Sequence, residues 1–212
     1  EITTRLVGSE MCIRDRLSFL PNGNCVILPN INGRGYGFFK ITEGESSGLW
    51  SVLRSSEDEV LKGSLLITLY ENLRWKTISP QGFREEMLAY LPNESNSLLF
   101  SMALSYLGDC QRIFPSDSRP LEQVLWKIVT TNPVSQHRLQ AFRLYRSIAD
   151  SEEAVQRLYT LWQERKAPKD CTLSESDYIG LSYMLAMHLP EKADKIIATQ
   201  SVSYTHLTLP TN

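Results

Sequence analysis

The regular spacing of helix starts constrains the fold of this chain more than any other sequence feature. After Thr42, apolar residues recur about every 3.6 positions and helix N-terminal signals recur along the chain. Alternate helices are predicted to start near residues 57, 95, 134 and 174, at intervals of 38, 39 and 40 residues. Two antiparallel helices per interval of this length are typical of HEAT and armadillo repeats, whose periods are about 40 to 47 residues. We therefore predict a mainly α fold, a HEAT/armadillo-like superhelix of antiparallel helix pairs.

Capping residues locate the individual helices. Ser56 and Glu59 have the spacing of a capping box, and the leucines that follow recur every four residues on one face. Ser79 followed by Pro80 places a cap and a first-turn proline at the start of the next helix, which Pro92 ends. The apolar faces of these two helices are predicted to contain Leu61, Leu65, Leu69, Leu73, Phe83, Met87 and Leu91. Further helices are predicted to open near Asn93 to Ser95, near Ser118, at Asn132–Pro133, at Asp150 with Glu153, at Ser174 with Asp177 and at Pro190.

An extended pattern precedes the helices, between Cys25 and Ile41. Apolar, aromatic and β-branched residues on either side of a group of turn residues predict a β-hairpin. Its three closely spaced glycines, Gly33, Gly35 and Gly37, raise the alternative of a phosphate-binding loop. Such a loop needs a helix N-terminus directly after it, and here a predicted strand follows. We therefore interpret the glycines as turn residues that supply positive φ angles.

Both ends of the chain resemble translated sequencing adapter. Leu6–Asp15 corresponds to the translation of a transposon-type adapter, and Val202–Thr211 begins with the translation of its reverse complement. The native sequence is therefore expected to be part of a longer reading frame. The predicted organisation is an adapter-derived segment (1–16), a β-hairpin region (17–42), a helical repeat domain (43–200) and a second adapter-derived segment (201–212).

Composition argues against two classes of function. The chain is 42% hydrophobic and 22% charged, with a formal net charge of -2. Nucleic-acid binding needs a net basic surface, which this charge balance does not provide, so no nucleic-acid partner is predicted. No apolar run approaches the ~18 residues of a membrane span, so none is predicted. The composition does not specify a cellular compartment.

The cysteines are predicted to be buried free thiols. When Cys12 is set aside with the adapter, Cys25, Cys110 and Cys171 remain. Their odd number, their wide spacing and the lack of a C-x-x-C pair argue against a disulfide framework and against a zinc knuckle. Free cysteine commonly packs as a small apolar side chain.

The sequence contains no assembled catalytic or metal-binding motif. A zinc peptidase of the H-E-x-x-H type needs two histidines four residues apart on a helix, with a glutamate between them. Here His137 is followed by Arg138 and His188 by Leu189. We interpret His137 as a surface histidine and His188 as a helix-end histidine. No catalytic, cofactor-binding or metal-ligating residue is therefore predicted in this chain.

Charged residues provide the remaining candidates. Arg138, Arg143, Arg146 and Arg157 belong to the third helix pair and could line a concave surface for an acidic or peptide ligand. Solvated helix faces and pairing within a helix are the interpretation we favour. The carboxylate groups Glu57-Asp58-Glu59, Glu85-Glu86 and Glu152-Glu153 are predicted to lie in or near first helical turns, where the helix dipole stabilises them.

Several short motifs, in order, resemble one peptidase family. They are Leu28-Pro29-Asn30, Gly35-Tyr36-Gly37-Phe38, Leu69-Tyr70-Glu71-Asn72 and Ile78-Ser79-Pro80. This order resembles the region just after the catalytic domain in aminopeptidase N-type (gluzincin) zinc metallopeptidases, and the resemblance covers roughly residues 20 to 200. It implies that the hairpin is the end of a β-sandwich domain and that the helices form a HEAT-like superhelix. The Glu71-Asn72 pair lies within a predicted helix and lacks the glycine and methionine of the family's G-x-M-E-N motif, so it is not interpreted as an amine-binding site.

Two functions of different class follow from these patterns. The resemblance implies the noncatalytic C-terminal part of a zinc aminopeptidase that removes N-terminal residues from peptides. In such an enzyme the helical domain caps the active-site chamber and limits access, and both the zinc and the contacts with the peptide substrate belong to the catalytic domain. The repeat alone is equally compatible with a free-standing HEAT-like scaffold that binds a protein partner. If the first function is correct, the parent protein is an enzyme; if the scaffold is correct, it is not. In both cases this chain itself is predicted to have no enzymatic activity.

Overall fold

The computed structural model describes Leu28, Asn30, residues 37–168 and residues 171–208, with side chains as far as residue 201. Within these ranges the chain forms nine α-helices, which confirms the predicted mainly α fold. They are α1 (Glu43–Ser55), α2 (Glu59–Arg74), α3 (Pro80–Tyr90), α4 (Ser97–Ile113), α5 (Arg119–Thr131), α6 (Ser135–Ile148), α7 (Glu152–Glu164), α8 (Glu175–His188) and α9 (Ala193–Thr208). Short 3-10 helices, Leu91–Asn93 and Pro190–Lys192, follow α3 and precede α9.

The alternate helices begin where the sequence pattern predicts. The N-caps of α2, α4, α6 and α8 are Asp58, Asn96, Val134 and Ser174, each within one residue of a predicted start. In the predicted cap of α8, Asp177 N donates to Ser174 Oγ and Ser174 N donates to an Asp177 carboxylate oxygen. This reciprocal pair satisfies two amides that the first turn leaves without helical partners.

The predicted capping box at Ser56 is wrong. α1 occupies the preceding residues and ends at Ser55, so Ser56 is the residue at its C-terminus. Asp58 caps α2 instead, because its carboxylate accepts hydrogen bonds from the amides of Val60 and Leu61 at 2.9 and 3.1 Å. Ser56 Oγ accepts a hydrogen bond from Asp58 N at 3.1 Å and thereby supports that cap.

The start of α1 has a capping box that the sequence analysis did not identify. Glu45 N donates to Thr42 Oγ1, and Thr42 N donates to Glu45 Oε2 at 2.7 Å. Hydrogen bonds from the backbone and side chain of Thr42 lower the pKa of Glu45, which favours the ionised capping form. The helical part of the chain therefore begins directly after Thr42.

The helices pack as a row with further helices against it. α2 contacts α4, α4 contacts α6, and α6 contacts α8. α1 packs on α2, α3 on α4, α5 on α6, and both α7 and α9 pack on α8. One continuous apolar cluster joins these helices, from Ile41 to Ile196. The predicted apolar face of α2 is confirmed at Leu65, Leu69 and Leu73, which are fully buried, while Leu61 in the first turn is only partly buried.

Most of the predicted β-hairpin lies outside the described residues. Leu28, Asn30 and residues 37–42 are described, and no strand is present among them. Leu28 packs against the apolar cluster, and Ser64 Oγ donates a hydrogen bond to Asn30 O at 2.8 Å. The hydrogen bond places Asn30 beside α2.

The predicted adapter-derived segments differ in how far they are described. Residues 1–16 lie outside the described residues. α9 extends to Thr208 and therefore includes part of the second segment, residues 201–208.

Candidate functional site

A groove of about 550 Å³ lies between α2 and α4. Val60 and Ile67 line it from α2, and Leu98 lines it from the first turn of α4. These side chains are 69%, 49% and 77% exposed, which is unusual for three large apolar residues in one concavity. Exposed apolar surface that is concave is the usual character of a binding site. The remaining lining includes Gly63, Ser64, Thr68, Leu99 and Met102, with Asn30, Gly37 and Phe39 from the segment before α1.

The charged side chains of the described groove lining are carboxylates. Glu59 lies in the first turn of α2 and Glu71 in its last turns, roughly 18 Å apart along the helix. Glu57 and Asp58 are exposed beside Glu59 and add to the negative charge at that end. Arg74 approaches Glu71 at 3.7 Å, but both side chains are exposed and such a pair is weak. The α2–α4 groove therefore has an apolar floor and acidic ends.

Asn72 lies on the other side of α2 and is fully buried. Its Oδ1 accepts hydrogen bonds from Ile41 N at 2.9 Å and from Thr77 Oγ1 at 2.6 Å. Its Nδ2 donates to Phe39 O at 2.8 Å and to Thr68 O at 2.9 Å. All four hydrogen-bonding positions of the amide are used within the fold. Asn72 therefore has no capacity left for a substrate amine and instead joins the chain before α1 to α2.

His137 does not lie on the surface, so that prediction is wrong. It is fully buried between α6 and α4, and its ring stacks on Phe100 with centroids 4.0 Å apart. Its Nε2 lies 3.0 Å from Ser97 Oγ, while Nδ1 has no hydrogen-bond partner among the described residues. Burial lowers the pKa of His137, and the charge of Glu94 opposes this effect in part. His188, by contrast, is the last residue of α8 and exposed, as predicted for a helix-end histidine.

Acidification is expected to destabilise the fold through His137. Protonation would place a second N–H donor on a buried ring whose Nδ1 has no acceptor. The folded-state pKa lies below the unfolded value of 6.5, so the unfolded chain binds more protons as pH falls from that value. The stabilising contribution is complete above pH 6.5 and decreases below it. Urea unfolding between pH 8 and pH 5 measures this slope.

The matched variants for this test are His137→Phe and His188→Gln. Phenylalanine preserves the stacking on Phe100 but cannot titrate, so the variant should lose less stability than the wild type below pH 6.5. His188→Gln removes the second described imidazole, at the exposed end of α8, and separates its contribution to the slope from that of His137. Identical slopes for wild type and His137→Phe would contradict the assignment.

Two of the four candidate arginines connect α6 to α8. Arg143 donates through Nε and Nη2 to the two carboxylate oxygens of Asp177 at 2.9 and 3.2 Å. Arg146 Nη1 donates to the backbone oxygen of Asp177 at 3.0 Å. A Cβ atom at Gly180 would lie 2.5 Å from Arg146 Nη1, so glycine leaves room for this guanidinium. The predicted pairing within a helix is therefore wrong for these two arginines, because both pair across to α8, although Arg143 remains half-exposed to solvent as predicted.

The other two arginines also pack into the fold. Arg157 pairs with Glu153 on its own helix, as predicted, but it also donates to Tyr145 Oη at 2.9 Å and lies over the Trp126 ring. Arg138 is buried in α6. The four arginines do not form a single ligand-binding surface, since Arg143 and Arg146 bind Asp177 of α8, whereas Arg157 contacts α5 and α6.

Glu122 is a buried carboxylate that the sequence analysis missed. It accepts hydrogen bonds from Asp150 N at 2.9 Å, from Ser151 N at 3.1 Å and from Ser118 Oγ at 2.8 Å. Burial opposes ionisation, but these hydrogen bonds and one from Ser151 Oγ outweigh it and lower the pKa of Glu122. The carboxylate holds the start of α7 against α5 from within the core, so its role is structural.

Most of the predicted first-turn carboxylates are confirmed. Glu59 begins α2, and Glu152 and Glu153 lie in the first turn of α7. Glu85 and Glu86 are an exception because α3 begins at Pro80, which places them in its second turn. There Glu85 accepts a hydrogen bond from Gln81 and Glu86 pairs with Arg54 of α1.

Cysteine and metal chemistry contribute no site within the described ranges. Cys110 and Cys171 are buried free thiols, as predicted, and burial raises the pKa of each. Cys25 lies outside the described residues. Across residues 37–168 and 171–201, no three histidine, cysteine or acidic side chains are placed to hold a metal ion. No described helix is both long and apolar enough to cross a membrane.

The α2–α4 groove is therefore the best candidate site among the described residues, since three well-bonded buried polar side chains already serve the fold. Asn72, Glu122 and Asp177 each use their hydrogen-bonding capacity within the chain. The groove, in contrast, leaves large apolar side chains exposed. Compared with known proteins, the chain matches no family model, no curated protein and no solved structure.

Proposed function

We propose that this chain is the noncatalytic C-terminal helical region of an aminopeptidase N-type zinc metallopeptidase. In this proposal the helices form a HEAT-like superhelix that caps the active-site chamber and limits access to peptides. The observation that carries the proposal is a set of cross-helix contacts that recurs at nearly constant sequence separation. The motif order from Leu28 to Pro80 supports the choice of family.

The recurring contacts join successive helices of the row α2, α4 and α6. Tyr70 donates to an Asp109 carboxylate oxygen at 2.7 Å across 39 residues of sequence. Between α4 and α6, the Ser97–His137 contact spans 40 residues, and Gln140 Nε2 donates to Ser101 Oγ at 2.6 Å across 39 residues. A constant offset is what stacked helix pairs of uniform length produce. These contacts support a repeat array, which is the architecture that the proposed function requires.

The described residues do not fit a zinc site of their own. His137 is buried between α4 and α6, and His188 lies at the far end of α8, so the two imidazoles cannot share one ion. No group of three possible ligands lies together in the part of the chain that the structure describes. In the proposed enzyme, zinc, the general base and the substrate-amine contacts therefore belong to residues upstream of this region.

The purified chain is expected to have no zinc-dependent peptidase activity. It lacks an H-E-x-x-H helix, so zinc has no two-histidine site beside a glutamate that could activate water. The measurement is release of product from an aminoacyl-anilide by the zinc-loaded chain, with an active metallo-aminopeptidase as positive control. Zinc-dependent release that co-purifies with the chain would overturn the noncatalytic assignment.

Sequencing upstream in the same reading frame tests the family itself. The proposed function expects an H-E-x-x-H motif within about 300 residues before Leu17, since one domain of this size range separates the two regions. A start codon directly before Leu17, or an upstream frame without that motif, would favour the free-standing HEAT-like scaffold. The exposed apolar groove between α2 and α4 supports this second candidate, because a scaffold needs a surface for its partner.

A further inference from the structure

We propose that the α2–α4 groove binds the apolar side of a cationic peptide segment. The groove is defined by Val60 and Ile67 of α2 and Leu98 of α4, with Glu59 and Glu71 at its ends. These residues line the groove whether the chain belongs to a peptidase or to a scaffold. The binding proposal therefore does not depend on the proposed function.

Apolar burial supplies the driving force for binding. Val60, Ile67 and Leu98 are about half to three-quarters exposed, so much of their surface can still be removed from water. The three residues lie on two helices with a concavity of about 550 Å³ between them, which is within the usual range for ligand-binding clefts. A groove between two helices is the surface that an amphipathic helix contacts through residues spaced at i, i+3, i+4 and i+7.

Charge determines which amphipathic segment fits the groove. Glu59 and Glu71 lie at opposite ends of the lining, and Glu57 and Asp58 extend the negative charge at the first end. Lys62, the basic residue between Glu59 and Glu71, is not part of the groove lining and pairs with the buried Glu94. A segment with lysine or arginine flanking its apolar residues therefore complements the groove, while an acidic segment is repelled.

Gly63 and Thr68 form part of the groove wall. A Cβ atom at Gly63 would make only ordinary contacts, 3.7 Å from Leu99 and 3.9 Å from Met102. Thr68, at the base of the groove, donates to Ser64 O at 3.0 Å within α2 and leaves no polar hydrogen directed at the ligand. We expect the apolar residues to supply most of the binding energy and the carboxylates to determine selectivity.

Fluorescence anisotropy with synthetic peptides tests the proposal on the whole chain. The probe is a labelled amphipathic peptide of about 14 residues, with leucines on one face and lysines elsewhere. Its control has glutamate in place of every lysine. Saturable binding of the lysine peptide is expected, with the glutamate peptide at least about tenfold weaker.

Matched protein variants locate the binding surface. The double variant Ile67→Ser with Leu98→Ser should weaken binding of the lysine peptide by about tenfold or more, since two exposed apolar anchors are lost. Met187→Ser removes an apolar residue of similar exposure on α8, 81%, and should leave binding unchanged. Glu71→Gln should reduce both affinity and its salt dependence, whereas Glu152→Gln on α7 should not.

The outcomes that would overturn the proposal are distinct. They are absence of saturable binding to the lysine peptide, equal binding of both peptides, or equal weakening by Met187→Ser and by the groove variant. Circular dichroism melting of each variant distinguishes a loss of binding from a loss of folding. Because all the substituted side chains are at least partly exposed, the variants are expected to fold. Failure of these binding tests would leave the peptidase proposal intact, since that proposal depends on the upstream sequence.

Discussion

Replacing Asn72 by leucine is expected to reduce the free energy of unfolding by about 3 to 4 kcal/mol. The substitution removes four hydrogen bonds at once, and three of the partners are backbone groups, of Ile41, Phe39 and Thr68. Leucine has a similar size, so the loss comes mainly from polar groups left without partners in the buried region. Urea unfolding at neutral pH, followed by circular dichroism, measures the change.

Asn93→Ala is the matched control for this prediction. Asn93 is exposed, and its single hydrogen bond, to Ala89 O, lies on the helix surface. The control should change stability by no more than about 0.5 kcal/mol. Because Asn72 holds the segment before α1, the leucine variant should also expose that segment to limited proteolysis. A loss below about 1 kcal/mol, with unchanged proteolysis, would contradict the role assigned to Asn72.

Helix positions could be predicted from the sequence because their signals are local. Asn96 and Ser174 cap helices through atoms only two or three residues away, so each motif contains both partners of the hydrogen bond. The start of α2 was misplaced because Ser56 and Asp58 are both good caps, and only the end of α1 excludes the first. Local patterns therefore determine where a helix begins to within one or two residues.

The buried polar contacts could be anticipated only in part. Asn72 follows Leu69 by three residues, so helical periodicity already places it on the buried side of α2. Likewise, His137 precedes Ala141 and Tyr145 at intervals of four, and all three are fully buried. The partners could not be predicted, because Phe39 and Phe100 belong to other segments of the chain.

The α2–α4 groove was missed for a related reason. Val60 and Ile67 interrupt the polar face of α2, and this irregularity is visible in the sequence. Isolated exposed apolar residues are common on soluble proteins, so neither position indicates a site by itself. Only the packing of α4 beside α2 brings Leu98 to the same concavity.

Replacing Asp177 by alanine is expected to cost about 2 to 4 kcal/mol and to separate α6 from α8. Asp177 is almost fully buried, and its carboxylate accepts hydrogen bonds from Arg143, Ser174 N and Ser174 Oγ. Alanine leaves the half-buried Arg146 without its anionic neighbour and removes the Asp177 side of the α8 capping box, while Ser174 still accepts from the amide of residue 177. Asp150→Ala, at an exposed acidic residue, is the control and should change stability by no more than about 0.5 kcal/mol.

The pH dependence of the stability lost in Asp177→Ala shows how much of that loss comes from the charge of the carboxylate. Burial alone would raise the pKa of Asp177, but hydrogen bonds from Arg143 and Ser174 outweigh burial and lower it to about 2 from 3.8. Since the folded pKa is below the unfolded one, the contribution is complete above pH 3.8 and decreases as pH falls towards 2. The stability difference between wild type and Asp177→Ala should therefore narrow in that range, as measured by urea unfolding at stepped pH. A difference that stays constant below pH 3.8 would mean that Asp177 acts through packing and not through its charge.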